Sequence, residues 1–232
     1  MKNCLLSIDW DYFIYPRESW GIYFENSKSL MDLWYKRYIQ AKARGEDIYK
    51  AFWLFLEPKT FWNKIKKCFK FTKNIKTYVS DSHVLSYELA KENNCEAVYL
   101  FDAHSDLGYG GFSSLNFEVN CSNWLGKLLK DKLIKEANIF YSPYTSEKPE
   151  DFKPMNDHYN IRYWDLNHFD QCIMVSVIHI CRSGAWTPPW LDNKFIQFID
   201  SLKIPYEIVD CPERKWNPDN FSLSDQINYL LV

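Results

Sequence analysis

The sequence predicts an α/β fold with three layers, in which a mostly parallel sheet is flanked by helices. Short apolar runs rich in β-branched and aromatic residues alternate with longer segments that have helical periodicity. This alternation is typical of parallel sheets, because each pair of parallel strands needs a crossover connection. In addition, three of the runs end in acidic and histidine side chains, and the carboxyl ends of parallel strands are where ligands bind.

Seven short runs predict the strands. In chain order they cover residues 4–9, 75–81, 97–102, 138–141, 161–164, 174–181 and 206–210. Each run is short and bounded by polar or turn-forming residues, as expected for strands.

Helical patterns lie between these strands. In residues 29–43, Leu30, Trp34 and Tyr38 lie on one face, and Gly45 ends the helix. Similar patterns predict helices over residues 84–92, 124–132, 193–201 and 222–231. The apolar and basic stretch 48–69 is predicted to form two helices interrupted at Pro58, and residues 143–158 are predicted to form a loop.

The composition excludes several classes of protein. Hydrophobic residues make up 47% and charged residues 25% of the chain, which excludes extended disorder, collagen and coiled coil. The formal net charge of −2 speaks against binding to nucleic acid or to an anionic membrane. The chain has no long apolar span, no signal-peptide layout and no C-x-x-C among its seven cysteines, so we expect a cytoplasmic protein. Without a linker or repeat, we expect a single domain over residues 1–232.

Aromatic residues make up 18% of the chain, an unusually large share. Two interpretations are open at this point. The aromatic rings form a bulky core with surface patches, or some of them line a groove that grips a large organic or peptide ligand.

Three segments that end predicted strands carry side chains that bind metals. Because an extended chain alternates sides, Asp9 and Asp11 are expected to share one face, and so are Asp102 and His104. Taken singly, such an acidic pair is ordinarily a loop or a helix cap, and a histidine at a helix start, such as His83, ordinarily binds nothing. Together at one sheet edge they predict one shared site. The segments are Ser7-Ile8-Asp9-Trp10-Asp11, Ser80-Asp81-Ser82-His83 and Asp102-Ala103-His104-Ser105-Asp106.

The residue types in these segments predict a pair of divalent metal ions. Four carboxylates at one sheet edge would repel one another, and two divalent cations would neutralise them. A ligand set of carboxylates and imidazoles favours Mn, Fe or Zn. Mg and Ca prefer sites made of oxygen ligands alone. Two such ions about 3.5–4 Å apart can share and activate a water molecule, which is typical of hydrolases.

At these residues the chain resembles the arginase, or ureohydrolase, superfamily. Residues 102–106 match the family's D-A-H-x-D segment in full, and residues 7–11 match S-x-D-x-D in full. Residues 80–83 match the family's glycine-rich Asp-His segment only loosely, because the glycines are absent. The resemblance implies two Mn²⁺ ions that share a bridging hydroxide, which attacks the guanidinium carbon. The implied ligands are His83 and Asp106 on one ion, His104 and Asp11 on the other, and Asp9 and Asp102 bridging both. Asp106 would also relay a proton to the leaving amine.

The chain departs from the family pattern in motif order and in substrate residues. S-x-D-x-D opens this chain, whereas in arginases it follows D-A-H-x-D, so the resemblance implies a circular permutation. Neither the family's downstream histidine nor its guanidinium-binding glutamate has a clear match. Glu57 lies at a plausible interval for the glutamate, although it also fits an exposed helix end. Asn123 and Trp124 stand where substrate-contacting residues are expected, unless Ser122 merely caps a helix.

The short chain, the displaced motif and the segment 182–190 resemble one subgroup, the peptide arginases. These enzymes convert arginine residues of ribosomally made precursor peptides into ornithine and release urea. The resemblance therefore implies a precursor peptide as partner, and the sequence leaves a homo-oligomer open. The alternatives are a ureohydrolase for free arginine or agmatine, a deacylase of the same fold with one zinc held by two Asp and one His, and a module that binds peptide without catalysis.

Overall fold

The sheet predicted from the sequence is present in the computed structural model, which describes residues 3–16, 30–55 and 58–231. Its seven strands are all parallel and lie in the order β7-β6-β5-β1-β8-β4-β9. A separate antiparallel pair joins β2 to β3. The strands are β1 (Cys4–Asp9), β2 (Ile14–Pro16), β3 (Phe52–Leu54), β4 (Phe69–Ser80), β5 (Ala97–Asp102), β6 (Glu136–Tyr141), β7 (Ile161–Tyr163), β8 (Ile173–Cys181) and β9 (Glu207–Asp210).

Helices cover both faces of the sheet, which gives three layers. They are α1 (Leu30–Ala43), α2 (Pro58–Cys68), α3 (Leu85–Glu92), α4 (Trp124–Lys130), α5 (Lys153–His158), α6 (Asp192–Ser201) and α7 (Leu223–Leu231). Leu6 and Ile8 of β1 belong to one apolar core together with residues of α1, α2 and α6. Leu5 belongs to a second core with residues of α3, α4 and α5. The alternation along β1 thus separates the two cores, and the predicted fold class is confirmed.

Much of the aromatic content lies in these cores. Trp10, Trp34, Trp62 and Trp124 are all fully buried. Their rings pack against other aromatic residues, for example Trp62 against Phe198 at 4.9 Å between centroids. For these residues the bulky-core interpretation is correct.

The stretch 48–69 contains one of its two predicted helices. Pro58 does not interrupt a helix but begins α2, because the first helical position needs no amide hydrogen. The preceding residues form a 3-10 helix, Ile48–Ala51, and then β3. β3 pairs with β2, some 40 residues earlier in the chain, and the pattern within one segment does not reveal such distant pairing.

Two further segments differ from the sequence prediction by more than two residues. β4 begins at Phe69 and has a register shift between Phe71 and Lys76, so the predicted strand 75–81 is only its second half. The predicted loop 143–158 contains a short 3-10 helix, Pro149–Phe152, and α5, each with a proline in its first turn. In the described part of the chain, none of the helices combines the length and the apolar character that crossing a membrane requires.

Candidate metal centre

The parallel register brings the predicted ligand segments to one edge of the sheet. β1 lies between β5 and β8, with Ile8 opposite Phe101 and Asp9 opposite Cys181. Asp9 and Asp102 therefore end neighbouring strands at the same edge. His83 follows β4, which lies on the far side of β8, and stands just before α3.

The chain turns sharply after Asp9 and after Asp102. Asp9 accepts a hydrogen bond from the amide of Asp11 at 2.9 Å and caps the 3-10 helix Trp10–Phe13. Asp102 accepts one from the amide of His104 at 2.8 Å. Asp9 and Asp11 thus converge because the chain turns between them and Asp9 caps that turn. The alternation of an extended chain, which the sequence pattern predicts, does not bring them together.

The imidazole of His83 faces three carboxylates. Its Nδ1 atom lies 3.2 Å from Asp9 Oδ2, 3.1 Å from Asp102 Oδ2 and 3.0 Å from Asp106 Oδ2. All four side chains are buried, with at most 8% of any of them exposed. Among the described residues, Nδ1 has no hydrogen-bond partner.

His104 forms the second half of the cluster, on its open side. Its Nδ1 atom lies 2.9 Å from Asp11 Oδ2 and 3.5 Å from Asp102 Oδ1. Its side chain is 36% exposed, whereas that of Asp11 is 7% exposed. Asp102 therefore directs one carboxylate oxygen to each imidazole.

The donor set fits a metal ion. Ligands at about 2.1 Å from an ion in octahedral geometry lie about 3.0 Å from one another, close to the separations in this cluster. A single proton on His83 Nδ1 cannot satisfy three carboxylates, whereas a cation between them can. Two groups, Asp9 with His83 and Asp102, and Asp11 with Asp102 and His104, have ligand atoms within 4.8 Å of one another. The buried cluster can therefore bind a metal ion.

Burial and like charges shift the pKa values of the acidic side chains. Burial, with repulsion from Asp11 and Asp106, raises the pKa of Asp102 to about 7. Burial, with repulsion from Asp11 and Asp102, raises the pKa of Asp9 well above its usual value. Burial alone would raise the pKa of Asp11 too, but the adjacent His104 lowers it.

The neighbouring carboxylates shift the pKa values of both imidazoles in the direction opposite to that of burial. Burial would lower the pKa of His83 and of His104, yet the facing carboxylates raise both pKa values well above the usual range. Without metal, protons therefore partly neutralise the cluster, and a bound cation would replace them.

Two side chains outside the cluster hold its carboxylates in place. The indole Nε1 of Trp124 donates a hydrogen bond to Asp106 Oδ2 at 2.5 Å. The hydroxyl of Ser183 donates one to Asp9 Oδ2. Donors aimed at a ligand carboxylate fix which oxygen faces the metal position.

The expectation that Asn123 and Trp124 line a substrate pocket requires correction. Trp124 is fully buried and acts on Asp106, as described above. Asn123 is 2% exposed, and its amide donates to the carbonyls of Ser114 and Glu118, so it holds the preceding loop together. Neither side chain has the exposure that contact with a substrate needs. Glu57 lies outside the described residues.

The segment 182–190 and the loop after β6 also reach the cluster. The ring of Trp186 lies 6.3 Å from that of His104. Glu147 accepts hydrogen bonds from the amide of Ser105 at 2.9 Å and the hydroxyl of Tyr109 at 2.5 Å. Burial raises the pKa of Glu147. Glu147 and Ser183 were not predicted, because neither belongs to a ligand motif and both arrive from distant parts of the chain.

Comparison with known proteins does not assign this chain to a family. No family model matches the sequence, no curated protein matches it, and no solved structure matches it. The resemblance to arginases therefore depends on motifs in the sequence.

Proposed function

We propose that the protein is a binuclear metal hydrolase that converts arginine residues of a ribosomally made precursor peptide into ornithine and releases urea. The observation that carries this proposal is Asp102, whose two oxygens face the two imidazoles of the cluster. A shared carboxylate of this kind is expected for two metal ions and not for one. A cytoplasmic location, where such peptides are made, is part of the proposal.

The ligands divide into two sets around this shared residue. His83 and Asp106 would hold one ion, His104 and Asp11 would hold the other, and Asp9 would be shared together with Asp102. We propose Mn²⁺ at both positions, with Fe or Zn as ions that the same ligands accept. Bound divalent ions supply positive charge and lower the pKa of water, so that water can act as a nucleophile near neutral pH.

The reaction requires one proton transfer that the chain itself can perform. Water adds to the guanidinium carbon, the bond from this carbon to the side-chain nitrogen of arginine breaks, and urea leaves. A proton from the water must reach the leaving amine. We assign this transfer to Asp106, because the bond from Trp124 keeps its carboxylate at the cluster.

The open side of the cluster supports a large substrate over a small one. Thr145 donates to the carbonyl of Ala103 at 2.5 Å and so joins the loop after β6 to the metal loop. The adjacent Tyr144 is 52% exposed and packs against Tyr15, which is 38% exposed, at 5.0 Å between ring centroids. Exposed aromatic rings next to the site favour a peptide chain over free arginine.

Urea and ornithine production tests the proposal. The Mn²⁺-supplemented protein is incubated with an arginine-containing peptide, with free arginine and with agmatine, and urea and ornithine are assayed. We expect product from the peptide and its loss in Asp102→Ala. The matched control, Asp157→Ala, removes an exposed carboxylate from α5 and leaves activity unchanged. Product from free arginine or agmatine alone would favour a small-molecule ureohydrolase, and full activity in Asp102→Ala would disprove the assignment.

One observation favours a second candidate, a deacylase with a single ion. Asp9, His83 and Asp102 by themselves are two carboxylates and one imidazole, the ligand set expected for that enzyme. The further carboxylates of Asp11 and Asp106 beside them support two ions instead. Elemental analysis of the metal-saturated protein separates these functions, since the deacylase requires one ion per chain and the proposed hydrolase two.

A further inference from the structure

A chain of hydrogen bonds leads from the candidate metal centre into the core, beginning on the side of His83 that faces away from the carboxylates. His83 Nε2 lies 2.8 Å from the hydroxyl of Ser7, which lies 2.7 Å from the hydroxyl of Ser86. Ser86 lies 2.6 Å from Nδ1 of His179. His179 Nε2 lies 2.8 Å from the hydroxyl of Ser80. These five residues are called the hydroxyl–imidazole chain below.

Every member of the hydroxyl–imidazole chain is buried. Ser7, Ser86 and His179 have no exposed surface, and His83 and Ser80 have 1% and 2%. Because each group has its partners within the chain and little access to water, the bonds constrain one another.

The far end of the chain sets the direction of every bond. The hydroxyl of Ser80 donates to the carbonyl of Ser82 at 2.7 Å, and a carbonyl can only accept. A hydroxyl has one hydrogen, so Ser80 must accept from His179 Nε2. His179 has no exposed surface, and its two ring nitrogens face the hydroxyls of Ser86 and Ser80, neither of which carries a charge that could pair with a cationic ring. A neutral ring with hydrogen on Nε2 accepts at Nδ1.

The remaining directions follow from His179. Ser86 must donate to His179 Nδ1, so it accepts from Ser7. Ser7 has then used its only hydrogen, so it accepts from His83 Nε2. His83 therefore donates from Nε2, and in the neutral ring that binds a metal its Nδ1 lone pair points at the three carboxylates. A lone pair that faces carboxylates is favourable when a cation binds between them. It is unfavourable when the site holds neither a proton nor a metal ion.

We infer that His179 is a positioning residue for metal binding, which acts through Ser86 and Ser7 to fix the tautomer that makes His83 a ligand through Nδ1. The inference depends on metal binding at the cluster and does not require that guanidines are the substrate. Loss of an outer partner of a metal-bound histidine typically weakens metal affinity about 10- to 100-fold.

A matched pair of substitutions at position 179 tests the direction of the chain. His179→Asn keeps an acceptor oxygen towards Ser86, whereas His179→Leu has similar volume and no acceptor. Without that acceptor, Ser86 and Ser7 can reverse, and His83 can place its hydrogen on Nδ1. Calorimetric titration of the full chain with Mn²⁺ alone should show about 10- to 100-fold weaker binding for His179→Leu and near-normal binding for His179→Asn. Equal weakening in both variants would contradict the inference and indicate packing.

A second variant covers the case in which His179→Leu does not fold. Ser86→Ala removes one oxygen atom from the chain and should weaken Mn²⁺ binding in the same range. Its control is Ser176→Ala, which removes a hydroxyl of β8 that bonds to the backbone of Cys4 and does not belong to the hydroxyl–imidazole chain, and Mn²⁺ binding should not change. Unchanged binding in folded Ser86→Ala would disprove the inference.

Nitrogen NMR of the metal-free protein reads the tautomer directly. At a pH high enough for a neutral ring, His83 should carry hydrogen on Nε2 in the wild type and in His179→Asn, and partly on Nδ1 in His179→Leu. Hydrogen on Nδ1 in the wild type would overturn the inference. Normal Mn²⁺ binding and tautomer without urea release from any guanidine would leave the inference intact and remove the proposed function.

Discussion

Asp102 has the most demanding position of any single residue in the cluster. Its side chain is 2% exposed and faces both imidazoles, and its pKa is raised to about 7 by burial and by the neighbouring carboxylates. A carboxylate in this position is unfavourable unless a cation compensates it. The burial of Asp102 therefore favours a role in metal binding over a role in stabilising the fold.

Asp102→Asn tests this interpretation at nearly constant volume. The amide cannot supply a negative oxygen to each half of the cluster, so we expect the loss of at least one ion per chain by elemental analysis. The metal-free variant should be as stable as the wild type or more stable, because a buried charge has been removed. The control is Asp157→Asn, whose side chain is 62% exposed. Unchanged metal content in Asp102→Asn would contradict the shared-ligand assignment.

Trp124 and Trp62 offer a comparison between two buried indoles. Trp124 Nε1 donates to Asp106, whereas Trp62 Nε1 donates to the carbonyl of Phe198 at 2.9 Å. Each Trp→Phe change removes one hydrogen bond and some volume, so both should lower the free energy of unfolding by about 1–3 kcal/mol in urea. Only Trp124→Phe should also weaken Mn²⁺ binding and slow urea release. Equal metal affinity in both variants would remove the role assigned to Trp124.

Among the elements, the ends of β4 and β8 are joined by buried charges. Arg182 follows β8 and donates to Asp81 after β4 at 2.7 Å, with side chains 4% and 10% exposed. Arg182 also donates to Asp192 and to the carbonyl of Pro212. This anchor holds the turn that carries Ser183 to Asp9.

Arg182→Leu should be strongly destabilising, because it leaves Asp81 buried and unpaired. We expect a loss of about 3–5 kcal/mol in the free energy of unfolding. The control is Lys153→Leu, which breaks an exposed ion pair with Asp157 within α5 and should cost about 0–1 kcal/mol. Chemical denaturation of both variants measures the difference, and similar losses in the two would show that the Arg182 anchor contributes little.

At the scale of the elements, the sequence prediction succeeded where pattern and packing agree. Strands β1 and β5 have the predicted bounds, because each is a short apolar run buried on both faces of a parallel sheet. The local pattern does not show β3, because its pairing with β2 joins segments that are far apart in the sequence. For the same reason the pattern predicts a loop in place of α5, since a polar, proline-containing helix depends on contacts with its neighbours.

For the whole molecule, the cluster predicts how stability depends on pH without metal. The folded-state pKa values of Asp102, Asp9, His83 and His104 are all raised. The two aspartates contribute stability that is complete below their usual value of 3.8, and the histidines contribute stability that is complete below 6.5. All of it is lost as pH rises through the folded values, near 7 for Asp102. The lowered pKa of Asp11 acts in the opposite sense only at acid pH.

Thermal unfolding with chelator or with Mn²⁺ at a series of pH values measures this effect. Because the metal replaces the protons, the increase in Tm on adding Mn²⁺ should grow as pH rises from about 5 to 8. In Asp102→Asn the Tm increase on adding Mn²⁺ should grow less with pH, since one carboxyl group with a raised pKa has been removed. An increase in Tm that stays constant across this range would contradict the coupling between protons and metal.

The sequence by itself determined the fold class, the strands that carry the ligands and the residue types at their ends, because apolar runs and strand-end motifs are local patterns. Only the tertiary structure decided which oxygen of Asp102 faces which imidazole, that Trp124 holds Asp106 and that His179 lies behind His83. The bond from Ser183 to Asp9 spans 174 residues, and that from Ser86 to His179 spans 93. Such contacts depend on how distant elements pack, and no pattern within one segment contains them.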